Sequence, residues 1–266
     1  MRKVIDSSAY SNGRLSEYLA ASKNNIAVIS DYSEMEAFNS DDLQAVFERA
    51  EILCEHQAQL LFLKNTATVC RLSGRRAGLI SRLIDTSGPK EFAFYCLAVR
   101  QAERGAIEYL NQLREKAAAA NAELDEWLGD AQRWAAAVAE ATKLFSAREQ
   151  KAIRLPGPHS PDLKGKILTA MIQITCLLHV NYPNVRKDRP AHELVNTYLF
   201  RVAICTFLLT VEWISVGRTA STPQAVRNDL IDSFIAAYAT FFDGLLSSDL
   251  KQQRIYSGAM EIVTVL

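Results

Sequence analysis

The chain has 266 residues, 49% of them apolar, with 30 Lys plus Arg against 30 Asp plus Glu. That length and composition suit one large domain or two small ones around a substantial core, and exclude a disordered chain. The balanced charge excludes a globally basic nucleic-acid binder, so any phosphate-binding surface must be a local patch.

K-V-I-D (3–6) reads as a short buried strand ending in an acid. N-G-R-L-S-E-Y-L-A (12–20) reads as a turn and a short helix, I-A-V-I-S (26–30) as a second strand, and S-E-M-E-A-F (33–38) as the opening of another helix. From 39 to 221 the pattern is almost wholly helical. Ser40 is a candidate cap, and 111–145 is an Ala-rich charged helix carrying Trp127 and Trp134. L-P-G-P-H-S-P (155–161) and Y-P-N-V-R-K-D-R-P (182–190) are breaks.

The apolar run Val202–Val216 contains Glu212 and is short for a bilayer span, which needs roughly 20 residues, so a buried helix is expected. Thr222-Pro223 predicts a helix start, and Gly244 a helix stop after Asp243. G-L-L-S-S then reads as a strand, D-L-K-Q-Q-R-I-Y-S-G-A-M as a final helix, and I-V-T-V-L as a closing strand.

Strand signals at both ends, each beside a helix, predict an α/β fold with a mainly parallel sheet flanked by helices. Residues 1–38 and 222–266 would form that core, interrupted by an all-helical insertion, 39–221. Cys54, Cys70, Cys96, Cys176 and Cys205 form no C-x-x-C pair and sit in helix-like apolar stretches. Buried free thiols in a reducing, cytoplasmic setting are expected, not disulfides or zinc. The opening M-R-K-V-I-D meets an acid before any long apolar stretch, so no secretory leader is expected.

The acids are the main lead. Taken singly, each has a plain role: Asp6 as a turn residue, Glu36 in an S-x-x-E capping box with Ser33, Asp249 as a helix cap, Asp229 and Asp232 as partners of a helix dipole. Taken together they follow a pattern. The carboxyl ends of parallel strands share one edge, where ligands bind, and Asp6 and Asp249 each follow a strand. Glu36 opens a helix leaving the second strand, and Asp229 and Asp232 share a helix face. Glu34 lies roughly 200° from Glu36 around that helix, so both cannot face one ion. Carboxylates so crowded raise each other's pKa unless a hard divalent cation intervenes.

V-I-D-S-S-A-Y (4–10), A-V-I-S-D-Y-S-E-M-E (27–36), D-S-F-I-A-A-Y-A (232–239) and L-L-S-S-D (245–249) resemble, in order, the four acidic motifs of PIN-domain nucleases. The resemblance picks Asp6, Glu36, Asp232 and Asp249 as catalytic, metal-ligating acids, with Asp229 as an extra metal candidate. It implies Mg2+- or Mn2+-dependent cleavage of phosphodiester bonds, most often in RNA. Ser7 and Ser247 would orient ligands or water. It also implies a toxin or defence role with an inhibitor protein as partner, and no membrane partner. Compact members of the family have a much shorter connection between Glu36 and Asp232.

Basic residues should flank such a pocket. R-L-S-G-R-R-A-G-L-I-S-R (71–82) places Arg71, Arg75 and Arg82 at helical spacing with Arg76 beside them, and a phosphate contact competes there with a solvated face. R-K-D-R (186–189) is a shorter basic loop, and Arg227 stands ready to bridge a phosphate or pair with Asp229. Trp127, Trp134, Trp213, Phe234, Tyr238, Phe241 and Phe242 read as core. The rival reading is a catalytically inactive PIN-like protein whose helical insertion is an interaction or homo-oligomerisation surface.

Overall fold

The computed structural model describes residues 1–11, 13–38, 43–154, 160–181, 190–216 and 222–265. The Ser40 cap, most of the 155–161 break and the 186–189 basic loop lie outside these residues, as do the side chains of Trp127 and Trp134.

The chain runs β1 (Arg2–Ile5), α1 (Ser8–Ser11), α2 (Arg14–Ala21), β2 (Ile26–Ile29), α3 (Asp31–Phe38), α4 (Leu43–Glu55), β3 (Leu60–Phe62), α5 (Thr66–Arg71), α6 (Leu79–Leu83) and α7 (Gly88–Glu103). It continues with α8 (Ile107–Thr142), α9 (Ala147–Arg154), α10 (Pro161–Asn181), α11 (Ala191–Leu194), α12 (Tyr198–Ser215), α13 (Pro223–Ala239), β4 (Gly244–Leu246) and α14 (Leu250–Val265).

The four strands are all parallel, in the order β3-β2-β1-β4. Val4 pairs with Val28 on one side and with Leu245 on the other, and Val28 pairs with Leu61. Parallel neighbours require crossovers, which helices supply on both faces. Successive side chains therefore serve opposite cores. Val4 and Val28 join the large helical body with Ile204, Leu230 and Tyr238, whereas Ile5, Ala27 and Ile29 pack with Leu15 and Leu19 of α2. The molecule is thus an α/β fold whose carboxyl strand ends open along one edge.

Several expectations change. The stretch 39–221 is not wholly helical, because β3 lies within it and extends the sheet beyond β2. Of the expected closing strand, residues 262–265 continue α14, and Leu266 lies outside the described residues. Ile255, Ala259, Ile262 and Val263 recur at helical spacing and join the core. α13 starts as expected, with the Thr222 hydroxyl accepting from the Ala225 N–H, but ends at Ala239, and Gly244 opens β4. The capping box does not form. Ser30 caps α3, accepting from the Ser33 N–H at 3.2 Å, and the Ser33 hydroxyl donates to the Ile5 carbonyl at 2.6 Å.

Cys54 and Cys96 form a disulfide joining α4 to α7, against the expectation of free thiols throughout; Cys70 and Cys205 are free and buried, Cys176 free and exposed. α12 is long and apolar enough to cross a membrane, yet 78% of that window is buried within the fold. Trp213, Phe234, Tyr238, Phe241 and Phe242 are buried as expected.

Candidate functional site

β1 delivers Asp6 to the carboxyl edge, where its side chain is buried. Its N–H bonds the Leu246 carbonyl of β4 at 3.1 Å, continuing the ladder by one step. Asp6 Oδ2 accepts from the Ser8 N–H at 3.2 Å, from the Ser8 hydroxyl, and from the Ser247 hydroxyl at 3.0 Å. Oδ1 accepts from Gln252 Nε2 at 3.4 Å.

Ser247 also accepts the Asp249 N–H at 3.0 Å, so one hydroxyl ties Asp6 to Asp249. Gln252 makes the second tie, since the same amide donates to the Asp232 carbonyl at 3.1 Å. The two ends of the chain therefore meet, and they meet through side chains of the carboxyl-terminal segment.

Asp249 caps α14. Its Oδ1 accepts from the N–H groups of Lys251 (2.6 Å) and Gln252 (3.1 Å), and no donor among the described residues reaches Oδ2. The plain capping role and a place in the cluster are both realised, because the helix starts where β4 ends. Glu36 extends from α3 into the neighbourhood of Ser7, which lowers its pKa. Its Oε2 is buried without a partner, as is Gln252 Oε1.

Burial raises the Glu36 carboxyl to about 7, with the nearby charge of Asp6 adding to it; Ser7, Arg227 and Arg49 oppose. Burial raises Asp232 to about 8, again helped by Asp6 and opposed by Lys251, with Glu36 and Asp249 adding smaller repulsions. Asp6, Glu36, Asp232 and Asp249 thus act on one another as a single electrostatic unit.

Asp229 stands differently. Its Oδ2 accepts the Trp213 indole N–H at 2.8 Å and its Oδ1 is ion-paired with the Lys251 ammonium. Both oxygens are engaged, so Asp229 serves here as the anchor of Lys251. Lys251 also lies 3.5 Å from Asp232. Among the described residues, no three Asp, Glu, His or Cys side chains are grouped so as to hold a metal ion. Lys251 is thus ion-paired with both Asp229 and Asp232, while Arg227 and Arg49 act on Glu36.

The expected basic flank is rearranged. α5 stops at Arg71 and α6 starts at Leu79, so Arg71, Arg75 and Arg82 do not share one helix face; Arg71, Arg75 and Arg76 are exposed. Gly78 adopts a left-handed φ of 67°, and the Arg82 guanidinium donates to the carbonyls of Ser73, Arg75 and Ala77. Arg82 is a staple for its own loop. Arg227 is buried, bonded to Asn228 and to the Leu124 carbonyl, and is paired with no carboxylate among the described residues. From there it lowers the Glu36 pKa but does not face solvent phosphates.

Ser8, Lys251 and Gln252 were not singled out from the sequence, and Trp213 was read there only as core. Ser8 and Gln252 lie within two and three residues of acids singled out there, which is the signal that could have found them. Comparison with family models, curated proteins and solved structures finds no match to this chain.

Proposed function

We propose that the chain is a PIN-like nuclease that hydrolyses phosphodiester bonds, in RNA before DNA, with Mg2+ or Mn2+. The observation that carries this reading is the convergence of Asp6, Glu36, Asp232 and Asp249 at the carboxyl edge of a parallel sheet. Oxygen donors of this kind suit a hard cation. Two buried acceptor oxygens, Glu36 Oε2 and Gln252 Oε1, have no donor, and two carboxyls are held as acids by burial and mutual repulsion. Asp6, Glu36, Asp232 and Asp249 would hold the cation, which supplies a water of lowered pKa and stabilises charge on the phosphoryl oxygens.

The chain's own groups do the positioning. Ser8 and Ser247 aim Asp6, Ser7 aims Glu36, and two main-chain N–H groups fix Asp249. Asp229, itself held by Trp213, places the Lys251 ammonium where it can neutralise a phosphoryl oxygen. A toxin or defence role, and a partner that restrains it, belong to the same proposal.

Purified protein incubated with RNA and DNA, with Mn2+ or with chelator, tests the reading beside Asp249→Asn. Metal-dependent cleavage of RNA that the variant loses supports it. No cleavage with Mn2+, or cleavage by Asp249→Asn at the wild-type rate, overturns it. The Lys251 ion pairs favour a second reading, an inactive relative in which an ammonium has replaced the cation and the helical body is an interaction module. Absence of any Mn2+-induced rise in melting temperature would favour that alternative.

A further inference from the structure

Tyr10, in α1, is 4% exposed, and its hydroxyl has no hydrogen-bond partner. It lines a cavity of about 290 Å³ at the carboxyl ends of β2 and β3. Arg49 links that cavity to the acidic cluster, since it lines the wall while one guanidinium nitrogen donates to the carbonyls of Glu36 and Ala37. Its other nitrogens meet no acceptor among the described residues.

One wall is aromatic. Phe62, Phe92 and Tyr95 form a run of rings with centroids 5.1 and 5.5 Å apart. The polar lining is dominated by carboxylates: Asp31, Glu34, Asp85 and Glu91 outnumber the cations Arg49 and Lys116. Asp31 is committed to Thr66 and Tyr32, and Asp85 to Ser87. Glu34 and Glu91 accept no hydrogen bond from the described residues. The aromatic wall offers a face for a planar ring, and the carboxylate excess turns phosphate away. What enters is a base, not its backbone.

The donor pattern narrows the choice. A free carboxylate accepts best from two adjacent N–H groups. Guanine presents such a pair, at N1 and N2, and its O6 and N7 on the other edge need donors. Adenine and cytosine set an acceptor beside their amino group, and uracil flanks a single N–H with carbonyls. The Tyr10 hydroxyl and the spare Arg49 nitrogens are donors; Glu34 and Glu91 are acceptors. The geometry points to this cavity as the recognition site for one guanine base of the RNA, stacked on the aromatic wall, a specificity device that rests on the nuclease reading.

Calorimetric titration of the full chain with guanosine, adenosine, cytidine and uridine, in chelator, tests this independently of cleavage. Guanosine is expected to bind about tenfold or more tighter than the other three. The double variant Glu34→Gln, Glu91→Gln should lose that preference. Tyr10→Phe should weaken guanosine binding while the melting temperature holds or rises, because an unpaired buried hydroxyl is removed. Equal binding of all four nucleosides, no binding of any, or wild-type guanosine affinity in the double variant overturns the inference. RNA cleavage without guanosine binding would sink the pocket and leave the nuclease reading standing. Guanosine binding by a chain that cleaves nothing would do the reverse.

Discussion

Raising the pH should destabilise the metal-free protein, and the acidic cluster sets how much. Glu36 is displaced from 4.5 to about 7 and Asp232 from 3.8 to about 8. Both folded values lie above the unfolded ones, so the folded state keeps protons that the unfolded chain releases. Their stabilisation is complete below the unfolded pKa values and disappears as pH rises through the folded ones. One unit is worth about 1.4 kcal/mol, so Glu36 alone implies a loss on the order of 3 kcal/mol between about pH 4 and pH 8. Asp232 adds to it less than its own displacement suggests, because the two groups titrate together.

Urea denaturation in chelator across that range is the assay. The slope of stability against pH should be negative above the carboxylate range, and Asp232→Asn should flatten it. Mn2+ should flatten it too, because a bound cation replaces the protons as counter-charge. A stability that is level or rising from about pH 5 to pH 8 in the chelated wild-type protein would refute the electrostatic account.

Ser247→Ala removes one donor from Asp6 and the acceptor of the Asp249 N–H; it should cost about 1–3 kcal/mol by denaturation and lower cleavage with it. Reducing Cys54–Cys96 opens a loop of sequence separation 42 and should cost about 4 kcal/mol, read as a lower denaturation midpoint in reductant. Replacing Arg71, Arg75 and Arg76 with Gln should flatten the salt dependence of RNA binding by roughly 2 in log–log slope if all three touch phosphates; an unchanged slope makes them solvated surface. Lys251→Met should lower metal-free stability by about 3 kcal/mol and tighten Mn2+ binding, measured by denaturation and by titration calorimetry.

What could be read from the sequence followed physical periodicity. The apolar runs ending in Asp6 and Ser30 are short, both faces of each are buried, and each stops at a buried polar residue on the carboxyl edge of the sheet. The same logic located β4 and the acid that follows it. β3 was hidden because Leu60–Phe62 is too brief to show a period and is flanked by helices. The basic segment misled in the opposite way: its arginines keep helical spacing, but Gly78 needs a left-handed φ and a Cβ on Gly74 would collide with the Glu193 carbonyl. Those two glycines were the signal that the helix breaks. The Cys54–Cys96 bond depends on how α4 lies against α7, which no local pattern encodes. Tyr10 looked like an ordinary aromatic, because an orphaned hydroxyl is a property of its surroundings.

The place of Lys251 follows from the cost of gathering acids before any cation arrives. A fold that brings Asp6, Glu36, Asp232 and Asp249 together must form without waiting for an ion, and unrelieved repulsion would oppose every step. Protonating Glu36 and Asp232 is one relief. An internal ammonium is another, and α14 supplies it two residues after Asp249 caps the helix. Burial pulls the Lys251 pKa down, but the bond to Asp229 and the surrounding negative charge more than offset it, so Lys251 stays charged. Trp213 of α12 locks Asp229 in turn. The ammonium is anchored chiefly to Asp229 and lies farther from Asp232, the carboxylate that would ligate. On the nuclease reading proposed above, that asymmetry would let a divalent cation take Asp232 while Lys251 keeps its own partner and turns its charge toward a phosphate.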